Sequence, residues 1–362
     1  MKAYIVEREA LTHNIQAIKA HAGEAAVWAV LKGNGYGLGA APMAKLMAEN
    51  GIDRFAVTEL REAQAIREVR PDAPILMLRS TQDPEEINAL LDLHVILSIG
   101  SFETAQAVNK AAEARADVAE IHLIIDTGMG RYGFFPNQTE QLLQLFSEMK
   151  HLAVCGIFTH FHSAFCSKKA TKKQYADFMQ TVRSIQSAGF ETGMIHCCNS
   201  AAFLNYPEMH LDAVRIGSAF LGRAFGAEKL GLKRIGYAEC TVEELRTIGR
   251  GQSVGYGAGF VAGSNLRTAV ISLGTFNGFY VGRENDLYRL RDSLRGMFSH
   301  FKNLFAKKWV IVSVNGHKCR VLGHIGMVHA VVDVTDIECA VGDPVTVEVN
   351  PLNVKGLKII YK

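Results

Sequence analysis

Short apolar runs alternate with helix-like segments along the first two thirds of the chain. Each run ends at a glycine or a polar residue, which is typical of a buried strand. The segments between them place apolar residues three or four positions apart, as amphipathic helices do, for example at 11–22, Leu60–Val69 and Gln174–Ser187. The predicted strands are Val27–Leu31, Arg54–Val57, Ile75–Leu78, His94–Ile99, Ile121–Asp126, Val154–Thr159, Met194–Cys197 and Ala213–Ile216. This succession of βα units predicts a closed (β/α)₈ TIM-type barrel, with a doubly wound open sheet as the alternative on pattern alone.

The pattern changes near Leu230, where the apolar runs become β-branched and alternate with polar residues. These runs are Arg267–Ser272, Trp309–Val314, Lys318–Leu322, Val331–Val334 and Val345–Val349. No helical pattern separates the last of them, so they predict a mostly β domain. We therefore divide the chain into a barrel over residues 1–229 and a β-rich domain over residues 230–362. The first residues are candidates for pairing with the second domain.

One segment interrupts the β-rich domain. Residues 283–308 have helical spacing, and they carry seven Lys or Arg against three acidic residues. The apolar positions are Leu287, Leu290, Leu294, Phe298, Phe301 and Phe305. We favour an amphipathic helix packed on the domain over a membrane or partner surface, and the role of this insertion is open.

Composition narrows the function classes. Hydrophobic residues make up 48% of the 362 residues and charged residues 21%, which excludes a disordered chain. The net charge of +3 does not indicate a nucleic-acid partner, and no apolar run is long enough for a membrane helix. Seven cysteines without framework spacing, and a start that does not resemble a signal peptide, favour reduced thiols in the cytoplasm. The adjacent pair Cys197-Cys198 is a weak metal or redox candidate, so no metal is predicted.

Candidate chemistry begins at the first predicted barrel strand. Val27–Leu31 ends in Lys32, and a glycine-rich stretch follows over residues 33–39. In parallel α/β proteins, active sites lie at the carboxyl ends of strands. Burial lowers the pKa of a lysine and makes it an amine nucleophile or a base. Taken alone, Lys32 is also compatible with a surface lysine just past a strand.

The stretch around Lys32 resembles a known cofactor motif. The residues Lys32-Gly33-Asn34-Gly35-Tyr36 and the GLG that follows resemble the pyridoxal-phosphate lysine motif of the alanine racemase family. Gly33 and Gly35 stand where the family usually has alanine. The resemblance implies that Lys32 forms a Schiff base with pyridoxal phosphate and that Tyr36 contacts the cofactor phosphate.

Two further motifs of the family end the next predicted strands of the site. IDTGMGRYGF contains Arg131, and THF contains His160. The resemblance implies that Arg131 holds the substrate and the phenolic oxygen of the cofactor, which suits a planar guanidinium. It implies that His160 stacks on the pyridine ring, although a lone histidine is more often a core residue.

Two motifs near the end of the barrel match the family's phosphate and ring-nitrogen contacts. HCCNSAA contains Ser200, and HLDAVRIGS contains Arg215, Gly217 and Ser218. A hydroxyl and backbone N–H groups at a helix start suit a phosphate, and barrels often bind phosphate after strands seven and eight. The resemblance places Arg215 on the pyridine nitrogen. A guanidinium only donates, so that nitrogen stays unprotonated and decarboxylation and transamination are suppressed.

The remaining matches lie in the β-rich domain. SVGYGA resembles the family motif whose tyrosine is the second catalytic base, here Tyr256, contributed to the partner's barrel in a homodimer. A tyrosine with only a packing role in a hairpin is the alternative. In IGMVH, the backbone N–H of Met327 matches the group that meets the substrate carboxylate.

Several positions depart from the family. Ile124 replaces a carbamylated lysine that braces the arginine at position 131, so Arg131 needs another brace. Val328 replaces an aspartate, and Thr275 replaces an entrance tyrosine. The late tyrosine near the phosphate has only a weak candidate, Tyr361. These positions surround the substrate, so the preferred amino acid stays open, as does whether they change specificity or abolish activity.

Together, these residues predict a cytoplasmic, homodimeric, pyridoxal-phosphate-dependent racemase with alanine as substrate and a place in D-alanine biosynthesis. Lys32 and Tyr256 are the predicted two bases, one on each side of the substrate. The alternatives are a racemase for serine or a larger or basic amino acid, a decarboxylase on the same fold, and a non-catalytic cofactor-binding protein. Arg215 argues against the decarboxylase, and the β-rich domain argues against the non-catalytic protein. No nucleic-acid or membrane partner is predicted.

Overall fold

The structure, a computed structural model, describes residues 2–281 and 309–362 together with Leu294, Met297, Phe298 and Phe301. The chain divides into two compact units. One is Arg8–Ile235, and the other combines Met1–Glu7 with Gly236–Lys362. The predicted helical insertion at 283–308 lies, apart from those four positions, outside the described residues.

The unit Arg8–Ile235 is built around eight parallel strands. Numbered along the chain, they are β2 (Ala26–Val30), β3 (Arg54–Val57), β4 (Ile75–Met77), β5 (Leu97–Ile99), β6 (Ala119–Ile124), β7 (Leu152–Phe158), β8 (Met194–Cys198) and β9 (Ala213–Ile216). Their order in the sheet is β4-β3-β2-β9-β8-β7-β6-β5, and a parallel bridge between Leu76 and Ile96 joins the two ends. The predicted barrel is therefore confirmed, and each of its strands overlaps a predicted apolar run.

Helices connect the barrel strands. They are α1 (Arg8–Ala22), α2 (Lys32–Tyr36), α3 (Ala40–Glu49), α4 (Leu60–Val69), α5 (Pro84–Asp92), α6 (Phe102–Ala114), α7 (Thr139–Glu148), α8 (Lys168–Ser187) and α9 (Ser200–Asn205), with 3₁₀ turns at Pro207–Met209 and Ala227–Leu230. Side-chain caps fix several of their starts. Asp83 caps α5, Ser101 caps α6 and Ser167 caps α8, each by accepting backbone N–H groups that the helix leaves unpaired.

The second unit is mostly β. Its strands are β1 (Ala3–Val6), β10 (Gly236–Ile248), β11 (Ser253–Val254), β12 (Phe260–Val261), β13 (Leu266–Ile271), β14 (Ile311–Val314), β15 (His317–Leu322), β16 (Ala330–Asp333), β17 (Pro344–Val347) and β18 (Lys358–Tyr361), with 3₁₀ turns at Tyr256–Ala258, Thr275–Asn277 and Pro351–Asn353. Eight of them form one sheet in the order β13-β16-β15-β14-β17-β10-β1-β18. An additional pairing of β10 with β13 closes part of this sheet on itself.

Strand β10 is the main element that the sequence pattern did not predict. It runs for 13 residues and pairs with β1, β13 and β17. Its sequence, GYAECTVEELRTI, mixes small residues with glutamates, so it lacks the β-branched alternation that marked its neighbours. The pairing partners, rather than the local propensity, decide its conformation.

The barrel interior combines apolar and histidine side chains. A buried cluster contains Trp28, Val30, Ala56, Leu76, Ile96 and Ala213. His122 of β6 is 2% exposed, and Gly156 of β7 lies opposite it in the pairing of the two strands. A Cβ atom added at Gly156 would lie 2.5 Å from the His122 ring, so the glycine leaves the space that the imidazole fills.

Among the described residues, no helix is both long enough and apolar enough to cross a membrane.

Filling the space beside His122 should destabilise the barrel. We expect Gly156→Ala to lower the free energy of unfolding by about 1–3 kcal/mol, because the new methyl group overpacks a buried site. Thermal unfolding followed by circular dichroism would measure the change. Gly263→Ala is the control, since a Cβ there meets nothing within 4 Å. Equal unfolding midpoints for the two variants would contradict this account of Gly156.

Candidate active site

Lys32 follows β2 on a left-handed turn. Gly33, Asn34 and Gly35 have φ values of 63°, 52° and 64°, and Tyr36 follows at 57°. A left-handed conformation costs an L-residue roughly 1–2 kcal/mol, and glycine avoids that cost. The two glycines at this motif therefore ease a turn that points Lys32 into the barrel mouth.

A cavity of about 260 Å³ lies at the carboxyl ends of the barrel strands, next to Lys32. Its lining combines one lysine, three arginines and two carboxylates with aliphatic and aromatic side chains. The lining residues are Lys32, Thr58, Glu59, Leu78, Arg79, Ile124, Ile125, Asp126, Met129, Arg131, Tyr132, Phe158, His160 and Arg215. The structure thus brings four of the predicted site residues, Lys32, Arg131, His160 and Arg215, to one cavity.

The environment of Lys32 favours a neutral amine. Burial is the largest effect and lowers its pKa, and the positive charges of Arg131 and Arg215 lower it further. The carboxylate of Glu62 acts in the opposite direction. A lysine with a lowered pKa carries more free amine near neutral pH, which suits a nucleophile or a base.

Arg215 is fixed in the barrel interior and is 3% exposed. Its Nη1 donates to His196 Nδ1 at 2.8 Å and to the His196 carbonyl at 3.2 Å. Its Nη2 donates to the carbonyls of Thr159 at 2.7 Å and Cys197 at 3.4 Å. A guanidinium has five N–H donors. The remaining one, on Nε, has no partner among the described residues, and Arg215 borders the cavity.

The hydrogen bonds of Arg215 also set the tautomers of two buried histidines. Since arginine only donates, His196 Nδ1 must accept, and its Nε2–H donates to His122 Nδ1 at 2.9 Å. Burial, reinforced by the charge of Arg215, lowers the pKa of His122 to about 3 and that of His196 well below its usual value. Burial also lowers the pKa of Arg215 to about 10, so the guanidinium stays protonated near neutral pH.

His160 lines the same cavity as a neutral ring. Burial is the main cause that lowers its pKa to about 3, followed by the charges of Arg215, Arg131 and Lys32. Its carbonyl accepts a hydrogen bond from Gln174 Nε2 at 3.4 Å. An uncharged imidazole can lie against a flat aromatic group without repelling the surrounding cations.

The predicted phosphate residues come together at the ends of β8 and β9. Ser200 Oγ accepts from the backbone N–H groups of Gly217 at 3.0 Å and Ala219 at 3.3 Å. A Cβ atom added at Gly217 would lie 2.1 Å from Tyr36 Oη, so the tyrosine hydroxyl occupies the space that glycine leaves. Burial raises the pKa of Tyr36 to about 12, which keeps its hydroxyl protonated as a donor. Ser218 follows directly in the chain.

The loop before Arg131 is folded around one carboxylate. Asp126 Oδ1 accepts from the backbone N–H groups of Gly128 at 2.8 Å and Met129 at 2.7 Å, and Oδ2 accepts from Gly130 at 2.8 Å. Gly128 and Gly130 have φ values of 132° and 69°, which favour glycine. Asp126 therefore shapes the backbone that presents Arg131.

The guanidinium of Arg131 itself is not braced by any described side chain. Ile124, which replaces the family's lysine, is 4% exposed and lines the cavity. The guanidinium lies 5.8 Å from the centre of the Tyr132 ring, and no ion pair or hydrogen bond joins it to another described group. Its donors are therefore available to a ligand.

Tyr256 and Met327 belong to the other unit and line a separate pocket of about 500 Å³. Tyr256 is 78% exposed, and Gly255 and Gly257 on either side have φ values of 78° and 61°. Met327 is 70% exposed, and Val328, which replaces the family's aspartate, lines the same pocket. The backbone N–H of Met327 makes no hydrogen bond to a described atom.

Tyr361, the weak candidate for the late tyrosine, lies in β18 of the same unit. Burial raises the pKa of its phenol. Thr275, at the position of the family's entrance tyrosine, begins the 3₁₀ turn Thr275–Asn277, and its N–H donates to the carbonyl of Gly326 at 3.0 Å. The roles of both residues stay predictions.

Sequence reasoning missed several residues that organise the cavity. Arg79 lines it, donates from Nε to the Thr58 carbonyl at 2.6 Å and pairs with Glu86. Gln174 on α8 donates to Thr127 Oγ1 at 3.2 Å and accepts from the backbone N–H of His162 at 3.2 Å, which ties two loops together. These contacts join different secondary-structure elements, so no local sequence motif indicates them.

Cys197 and Cys198 are buried, and both thiols lie near the carbonyl of Met209, at 3.2 and 3.1 Å. In the part of the chain that the structure describes, no group of three or more His, Cys, Asp or Glu residues is placed to hold a metal ion. The cysteine pair therefore packs the loop between β8 and β9.

These features define a class of protein: a (β/α)₈ barrel with a half-buried lysine and three arginines around one cavity, in a chain that also carries a β-rich unit. A family model described as alanine racemase, N-terminal domain, matches residues 6–224, and one described as alanine racemase, C-terminal domain, matches residues 237–355. The chain belongs to the alanine racemase family, as its motifs predicted.

Individual relatives agree with this assignment. The alanine racemase of Desulforamulus reducens is 31% identical over 351 residues, covering 94% of this chain and 88% of that protein. Alanine racemase 1 of Oceanobacillus iheyensis is 30% identical over 341 residues, covering 92% of this chain and 84% of that protein.

Solved structures share the fold. Alanine racemase from Streptomyces coelicolor A3(2) superposes with a TM-score of 0.85 at 21% identity, over 99% of this chain and 97% of that one. Biosynthetic alanine racemase from Pseudomonas aeruginosa superposes with a TM-score of 0.81 at 25% identity, over 100% of this chain and 99% of that one.

The cavity charges predict how Lys32 should titrate. We expect Arg131→Met to raise the pKa of Lys32, because it removes a positive charge that opposes protonation of the amine. Acetylation of Lys32 in the ligand-free protein, followed by mass spectrometry across a pH series, should then require a higher pH for half-labelling. Arg79→Met is the matched control, since Arg79 is paired with Glu86. The same labelling curve in both variants would contradict the role of Arg131.

Proposed function

We propose that this chain is a pyridoxal-phosphate-dependent alanine racemase that interconverts L- and D-alanine by a two-base mechanism. The observation that carries the proposal is Lys32, whose pKa is lowered in a cavity that it shares with Arg131 and Arg215, in a chain of the alanine racemase family. The many relatives named alanine racemase favour alanine over the alternative substrates and over a decarboxylase or a non-catalytic protein.

The residues present fit pyridoxal phosphate. The Nε–H of Arg215, which has no partner among the described residues, would donate to an acceptor such as an unprotonated pyridine nitrogen. The hydroxyls of Tyr36 and Ser200, which lie beside Gly217, would donate to the cofactor phosphate, with Ser218 next in the chain. Lys32 would hold the cofactor, and His160 would lie against its ring. Arg131 would meet its phenolic oxygen and the substrate.

Bound pyridoxal phosphate supplies an electron sink for negative charge that develops at the α-carbon of the amino acid. The protein supplies the proton transfers. Lys32 Nζ, with its lowered pKa, can take up and return the α-proton from one side. Tyr256 of the partner subunit would hold the proton on the other side, and the free N–H of Met327 would bind the substrate carboxylate. Arg215 stays protonated and can only donate a hydrogen bond, so the pyridine nitrogen would stay unprotonated. The cofactor would then withdraw electrons less strongly, which disfavours decarboxylation and transamination.

The proposed enzyme is a homodimer with composite sites. Tyr256 and Met327 are exposed and line a pocket that does not include Lys32. A catalytic tyrosine must contact the substrate, and the barrel of a partner subunit would bring a substrate to it, which supports this arrangement. Residues 1–229 would then bind the cofactor, and residues 230–362 would serve the partner's site. We further propose that the enzyme works in the cytoplasm and supplies D-alanine for biosynthesis.

The first test of the function is direct. The protein purified in the presence of pyridoxal phosphate should be yellow and should convert L-alanine to D-alanine, as measured by chiral chromatography. Borohydride should fix the cofactor to the peptide that contains Lys32, and Lys32→Ala should abolish both results. A protein that stays colourless with added pyridoxal phosphate would refute the proposal.

The composite site has its own test. Tyr256→Phe should keep the cofactor and lose racemisation by several orders of magnitude, and Lys32→Ala should lose both. Neither homodimer should be active, but in a mixed dimer one site receives both defects and the other receives none. With random mixing, about half of the dimers are mixed, so co-refolding should restore roughly a quarter of wild-type activity under two-fold pairing.

Exchange of subunits in that experiment is checked by native mass spectrometry. Refolding each mutant alone is the control and should give no activity. If mixed dimers form and remain inactive, then Tyr256 serves its own chain or is not a base.

A further inference from the structure

We propose that Glu62 is a positioning residue for Lys32: its buried carboxylate fastens the left-handed turn Lys32–Tyr36 to the start of α4. The catalytic consequence rests on the proposed function, because it concerns the residue that would carry the cofactor. The structural part stands on the hydrogen bonds alone.

The turn needs support from outside. Five consecutive residues, Gly33 to Gly37, are left-handed, and two of them, Asn34 and Tyr36, are not glycine. Such backbone persists only where the surrounding structure holds it. The turn makes some bonds of its own, for example from the Gly37 N–H to the Gly33 carbonyl at 2.9 Å. The Asn34 N–H, however, is donated to Glu62 Oε1 at 2.8 Å.

Glu62 reaches two strand ends at once. It is 1% exposed and lies in the first turn of α4, where its Oε2 accepts from the backbone N–H groups of Thr58 at 3.0 Å and Glu59 at 3.2 Å. The bond to Glu59 belongs to a capping box, which satisfies the helix start. Thr58 follows β3, and Lys32 follows β2. One carboxylate therefore sets the register between the lysine turn and the neighbouring barrel strand.

The carboxylate cannot be replaced by an amide. Both oxygens of Glu62 accept, and each faces backbone donors. Glutamine offers one oxygen and one NH₂ group. Its NH₂ group would therefore lie opposite a backbone N–H, and two donors cannot bond to each other. A buried donor left without an acceptor is costly, and bonds to a charged acceptor are among the stronger ones. Aspartate keeps the charge but is one methylene shorter and cannot span both ends.

The charge of Glu62 also acts on Lys32. Among the groups around the lysine, it is the one that raises its pKa, against burial and the two arginines. Removing the charge should lower the pKa of Lys32 further. A residue that only stabilised the fold would leave this titration unchanged, so the pH profile separates positioning from general stability.

The experiment compares the full-length wild type, Glu62→Gln and the control Ser167→Ala. Ser167 caps α8 by accepting from the Ala170 N–H, so the control also loses a helix cap of the barrel. The first readout is hydrogen exchange at the Asn34 amide, by mass spectrometry with fragmentation. The second is the affinity for pyridoxal phosphate. The third is the pH of half-acetylation of Lys32.

In Glu62→Gln, we expect the Asn34 amide to lose protection and Lys32 to be acetylated from a lower pH. Affinity for pyridoxal phosphate should fall about tenfold or more, as expected for lost bonds to a charged group. Ser167→Ala should match the wild type in all three readouts.

A rapidly exchanging Asn34 amide in the folded wild type would overturn the proposal. So would a Glu62→Gln protein that matches Ser167→Ala in cofactor affinity and in the Lys32 profile. If Glu62→Gln does not fold, the Asn34 exchange rate of the wild type decides alone. If the wild type takes up no pyridoxal phosphate on Lys32, the proposed function fails, and the exchange and acetylation readouts still decide the role of Glu62.

Discussion

The site depends on a permanently charged group inside the barrel. Arg215 is almost fully buried, so four of its five donors must be satisfied by the chain, and the ends of β7 and β8 supply the acceptors. A buried guanidinium whose donors lacked acceptors would strongly destabilise the barrel. The acceptors at these two strand ends and the tautomers of two histidines follow from this single requirement, and Nε is left without a partner among the described residues.

Positive charge dominates the cavity as a result. One lysine and three arginines line it against two carboxylates, of which Asp126 is engaged by three backbone N–H groups. A cationic cavity of this kind attracts anionic groups such as phosphate and carboxylate. Burial, reinforced by these charges, lowers the pKa of His160 and of Lys32. The charges that attract an anionic ligand thus add to the effect of burial on the amine.

The local sequence predicted those elements whose conformation depends on residues close together in the chain. The barrel strands were predictable because each is a short apolar run that ends at a glycine or a polar residue, and α4 was predicted with its bounds at Leu60–Val69. Strand β10 was missed because partners distant in the sequence determine it. The motifs marked the residues of the cavity, but not the contacts that hold them. Glu62 lies 28 residues from Asn34, a link that periodicity does not reveal.

The position of β1 has a consequence for synthesis on the ribosome. This first strand lies between β10 and β18, so Ala3 pairs with Glu239 on one side and with Lys358 on the other. The barrel strands can be translated, and can begin to pair, long before that last partner emerges. The N-terminal strand must therefore wait for the C-terminus, and its loop closure spans almost the whole chain. Until then the edges of β1 are unpaired, and an unpaired strand edge can associate with other chains.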